Sequence, residues 1–133
     1  MKKIVFLAIM ALMTVYMSAC STTDSHSEMT KTMPDPIEVT LKVPSKASVN
    51  QEVPLKAIVK QGNKVVKDAD EVKYETWKDN TKDKDSMLDA KNENNGAYTA
   101  HVKFDQPGVY DVQVHVTARE MHDMPKTKIV ISK

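Results

Sequence analysis

His115, Met121, His122 and Met124 bring two imidazoles and two thioethers into one short stretch of the chain, ahead of Pro125. Those donors suit Cu(I), and an exported copper protein gains by avoiding cysteine, which oxidises outside the cell. Zinc is served less well, because no cysteine completes a closed tetrahedral set. Catalytic arrangements are missing from the pattern. No serine falls near His115 or His122 in the expected layout, the single cysteine lies far away at position 20, and three glycines cannot build a phosphate-cradling loop. The expectation is a protein that is not an enzyme.

The element that delivers these donors is a strand. Tyr110, Val112, Val114 and Val116 alternate with Asp111, Gln113, His115 and Thr117, the signature of a half-buried β-strand. Alternation stops at Arg119, so residues 119–124 are predicted to form a loop that gathers Met121, His122 and Met124 at one end of the domain. A last strand over 126–132 then returns alongside. Matching the apolar sides of the two strands places Val116 opposite Thr127, Val114 opposite Ile129 and Val112 opposite Ile131.

Upstream, alternating segments at 37–43, 53–59, 71–77, 87–90 and 98–104 are separated by turn formers such as Gly62-Asn63 and Asn94-Asn95-Gly96. Pro54 is compatible with a strand only near its start or on an edge. Seven short strands at intervals of ~8–15 residues predict an all-β fold, a seven-stranded antiparallel immunoglobulin-like β-sandwich. In that arrangement the 71–77 strand lies on the other side of the organising strand. Glu75 and Trp77 then share an outer face with Gln113 and His115, and Glu75 approaches His115. Lys73 and Lys128 fall on the same face, where ammonium groups would oppose a bound cation.

The N-terminus reads as an address. Lys2 and Lys3, the apolar run Ile4–Val15 and Ser18-Ala19-Cys20 form the charged, hydrophobic and cleavage regions of an export signal, too short for a comfortable membrane span. Cys20 resembles the lipidated cysteine of bacterial lipoproteins. The expected organisation is a signal peptide at 1–19, lipidated Cys20 with a disordered tether to residue 36, and a β domain at 37–133. The whole chain carries a formal charge of +1. Lys2 and Lys3 are the leader's only charges, so that balance becomes −1 without it, and no footprint for nucleic acid remains. Localisation follows as the extracytoplasmic face of the cell membrane, held by lipid.

The run Glu-Thr-Trp-Lys (75–78), Asn-Gly-Ala-Tyr (95–98), Pro107 to Arg119 and Met-His-Asp-Met-Pro (121–125) resembles the YtkA-like family of exported bacterial domains, often grouped with FixH-like proteins, over roughly 37–132. The resemblance implies an immunoglobulin-like sandwich on a lipid or membrane anchor. Through the FixH-like relatives it also implies copper handling and cytochrome oxidase assembly, with a membrane oxidase as partner. Carried over by residue, it points to His115, His122 and Met124, with Glu75 as a weaker fourth in a supporting role. Two functions follow as expectations: Cu(I) binding for metal handling or oxidase assembly, or a non-catalytic module that uses the loop and Trp77 to contact an envelope protein or polymer.

Overall fold

The computed structural model describes residues 33–82 and 86–133. The expected leader, Cys20 and the tether as far as Thr32 lie outside the described residues, as do residues 83–85. Every element is a strand: β1 (Ile37–Lys42), β2 (Lys46–Ser48), β3 (Glu52–Gln61), β4 (Lys64–Val65), β5 (Glu71–Lys78), β6 (Ser86–Asp89), β7 (Lys91–Asn92), β8 (Ala97–Lys103), β9 (Gly108–Ala118), β10 (Met121–Asp123) and β11 (Lys126–Ser132). The seven expected strands correspond to β1, β3, β5, β6, β8, β9 and β11. Four short additions accompany them.

Two open sheets share one core. The first runs β1-β3-β8-β7 with β4 beside β3, and the second β2-β11-β9-β5-β6 with β10 beside β9. Alternation decides what enters the space between them: Val53, Leu55, Ala57 and Val59 come from β3, Val112, Val114 and Val116 from β9, and Ile129 and Ile131 from β11. Burying each such valine, leucine or isoleucine removes apolar surface worth about 1.5–3 kcal/mol. Tyr74 of the second sheet donates its hydroxyl to the Tyr98 carbonyl of the first at 2.7 Å, and the Tyr98 hydroxyl donates to the Val66 carbonyl at 3.1 Å. A buried hydroxyl without such a partner would be costly, so these bonds also fix how the sheets align.

The expectation of purely antiparallel pairing fails at one edge. Pro44 ends the first alternating run, the chain crosses to the other sheet, and β2 pairs parallel with β11, Ala47 opposite Ile131. Pro54 sits inside β3 but beyond the reach of β1, whose pairing stops at Lys42 opposite Lys56. Its missing N–H therefore deprives no neighbour on that side.

The last hairpin departs most from expectation. Thr127 pairs with Val112 and Ile129 with Tyr110, a slip of four residues from the predicted register. The cause is the turn. Arg119 and Glu120 both adopt positive φ, +53° and +63°, and form a two-residue connection with Met121 opposite Ala118. That conformation is typical of Asn-Gly and matches the twist of the flanking strands. Half of the predicted six-residue loop is thus strand: β10 and β11 are one line, interrupted at Met124-Pro125. Because the slip is even, every side chain keeps its predicted face.

Candidate functional site on the outer face of the second sheet

The outward positions of β9 are Asp111, Gln113, His115 and Thr117. Those of β5 are Glu71, Lys73, Glu75 and Trp77, in register one to one from Thr117 opposite Glu71 to Asp111 opposite Trp77. On the other flank His122 faces Thr117, and Lys126 faces Gln113. Met124 falls between them, level with His115, and its carbonyl accepts a bond from Gln113 Nε2 at 3.0 Å. His115, His122 and Met124 are therefore nearest neighbours on one face. Met124 is half exposed and His122 exposed, while His115 is partly covered. Met121 is separated from them. Its position is inward, and its side chain packs against the core, because an odd number of strand positions divides it from His122 and Met124.

Two contacts orient the imidazoles. The His115 Nε2 lies 2.7 Å from Glu75 Oε2, as the outer-face pairing predicts, and the Glu75 side chain is 6 % exposed. A carboxylate acceptor at Nε2 selects the tautomer with its hydrogen there, which turns the Nδ1 lone pair to the surroundings. The Thr117 hydroxyl sits 3.1 Å from His122 Nδ1. Sequence reasoning left Thr117 unassigned, although its place one step along the outward face from His115 already made it a neighbour.

The expected ammonium groups are present but engaged. Lys73 stands directly opposite His115 and forms an ion pair with Glu71. The hydrogen bond from Lys73 holds the Glu71 carboxyl below the usual carboxylate range, with smaller pulls from His122 and His115, and reciprocally raises Lys73. Lys128 pairs with Asp79 at 3.1 Å and Asp111 at 3.4 Å, at the far end of the face.

That far end is closed. Trp77 is only 6 % exposed, with Lys82 Nζ 4.6 Å and Lys126 Nζ 5.5 Å from its ring centre. Cation–π contacts of this kind hold the ammonium groups over the indole. The ring is consequently not on offer as a contact surface for a protein or polymer.

The donor chemistry discriminates between metals. Among the described residues no three His, Cys, Asp or Glu side chains converge on one point. Two imidazoles need the Met124 thioether as a third donor, a combination that suits a soft monovalent ion better than zinc.

Solved structures share the fold at low identity. An engineered protein superposes with a TM-score of 0.59 at 13 % identity, over 76 % of this chain, which spans 21 % of that protein. The soluble domain of PmoD from Methylocystis sp. ATCC 49242 (Rockwell) gives 0.50 at 14 %, over 72 % of this chain and 90 % of its own. A variant of the superoxide reductase (neelaredoxin) from Ignicoccus hospitalis gives 0.50 at 9 %, over 79 % and 86 %. At these identities the likeness concerns fold alone. No curated protein matches the sequence. The profile described as YtkA-like matches residues 31–115, taking in Glu75 and His115 and ending before Met121, His122 and Met124. By that match, which covers more than half of its length, the chain belongs to the YtkA-like family.

Proposed function

We propose that this protein is a lipid-anchored, extracytoplasmic, non-catalytic domain that binds Cu(I) on the outward face of its second sheet, for metal handling or the assembly of a membrane oxidase. His115, His122 and Met124 hold the ion, and Glu75 sets the His115 tautomer. Met121 drops out of the ligand set because its sulfur belongs to the core side. Bound there, copper would be stored or handed on in its reduced state, which thioether donation favours over the divalent one. Cys20 carries the lipid, and the chain from there to Pro36 is the tether. The two sheets are read as an immunoglobulin-like sandwich. Support for that comes from Tyr110, whose hydroxyl donates to the Gln106 carbonyl four residues upstream at 3.0 Å, in the manner of the corner tyrosine of such folds.

The observation that carries the metal reading is the adjacency of three soft or borderline donors on neighbouring strands, with a buried carboxylate bonded to one of them. Competition of residues 33–133 against a Cu(I) chelator tests it. Binding at micromolar strength or tighter is expected, weakened at least tenfold in His122→Ala and in Met124→Ala. Met121→Ala should leave affinity within about twofold while lowering stability by about 1–2 kcal/mol, since it removes only core contacts. A wild-type domain that leaves a weak chelator fully loaded ends the proposal.

A further inference from the structure

The outward face of the first sheet has a different electrostatic character from that of the second. Its outward positions bring Lys42, Lys56, Lys60, Lys91 and Lys103 together against Glu38 and Glu52. Glu38 stands opposite Lys60 and Glu52 opposite Lys103, so the acids lie at two corners of the face. Lys42 is left directly across from Lys56, both exposed. Like charges in that relation oppose sheet formation and have no folding rationale. The same row continues through Thr99 to Lys91, which Glu93 neutralises. Among the described residues, Lys42, Lys56, Lys60 and Lys103 form no ion pair, whereas on the second sheet Lys73, Lys126 and Lys128 are each matched to a carboxylate.

We infer that this lysine face is a docking surface for a bilayer rich in anionic headgroups. The occupant follows from shape and charge. A sheet face with its cations spread across several strands meets a plane of negative charge at several points at once, as a small anion could not, and the small Thr99 side chain between Lys56 and Lys91 lets that row approach closely. Chain order agrees. Lys42 closes β1, the first strand after the segment that holds Cys20. In the anchored form proposed above, the sixteen residues from Ser21 to Pro36 link the domain to its lipid. A domain so confined meets its own membrane at high effective concentration, and weak lysine contacts then suffice to orient it. Docking through the first sheet would leave the His115, His122 and Met124 face of the opposite sheet directed away from the lipid.

The charge argument stands without the anchor, so the test uses residues 33–133, which hold every strand and core residue among the described residues and lack Cys20. Sedimentation with vesicles of about 30 mol % phosphatidylglycerol in phosphatidylcholine is compared with phosphatidylcholine alone, at low and high salt. Partitioning at least tenfold higher onto the anionic vesicles is expected, lost as salt rises. Lys42→Glu/Lys56→Glu should abolish most of it. Lys46→Glu/Lys133→Glu, an equal charge change at the β2–β11 edge of the second sheet, should keep it, with Trp77 emission reporting that each variant is folded. The inference is overturned if anionic vesicles retain no more wild type than neutral ones. It is equally overturned if both double variants lose binding alike, or if soluble polyphosphate captures the domain while vesicles do not.

Discussion

At the scale of single residues, the outer face of the second sheet works by pairing each charge before offering a donor. Lys73 would compete with a cation beside His115, and Glu71 occupies it. The consequence is measurable by pH. The folded Glu71 pKa lies below its unfolded value, so its interaction with Lys73 is present above the unfolded value and is lost as pH falls through the folded one. Both groups are exposed and the effect on stability is correspondingly small. In Lys73→Met the side-chain carboxyl carbon of Glu71 should titrate at higher pH than in the wild type, by NMR. An unmoved midpoint would show that Lys73 is not its principal partner.

At the scale of elements, the β9–β10 hairpin decides the site, and an unusual turn decides the hairpin. Arg119 and Glu120 occupy left-handed conformations that cost a residue with a side chain about 1–2 kcal/mol each. Anchoring compensates for this: the Arg119 guanidinium reaches Asp68 at 3.1 Å and Gln61, and its backbone N–H donates to Asp70 at 3.2 Å. Glu120 shows no comparable hold among the hydrogen bonds and ion pairs of the described residues. Glu120→Gly should therefore relieve strain and stabilise the domain by about 0.5–1 kcal/mol, after allowing for the greater freedom glycine has when unfolded. Urea denaturation checks this, the midpoint rising with an unchanged slope. A lowered midpoint would mean that Glu120 contributes contacts worth more than its strain.

At the scale of the whole molecule, one core serves both sheets, and no disulfide is available to either because the single cysteine lies at position 20. Leu55 in the first sheet and Ile129 in the second are both fully buried. Truncation of either to alanine should cost about 2–5 kcal/mol. In each variant far-UV circular dichroism, which reports both sheets, and Trp77 emission, which reports the second, should lose signal at a single common midpoint. Separate midpoints would show that the sheets melt as independent units and that the Tyr74–Tyr98 bond between them carries little.

Local alternation alone determined the seven principal strands, their faces and the side of the sheet on which His115 and Glu75 meet, because side-chain period in a strand depends on nothing but position parity. It determined equally that His122 and Met124, two apart, share a face if their segment is extended. What it could not show was that the segment is extended. Arg119-Glu120 carries none of the turn residues that signal a tight hairpin, and its positive-φ conformation exists because Asp68, Asp70 and Gln61, distant in sequence, hold it. The slip of four residues in register, the loss of Met121 to the core, the parallel edge formed by β2 and the burial of Trp77 under two lysines were likewise decided by tertiary structure. Each is a contact between segments far apart in the chain, whose energy is invisible until the sheets are assembled.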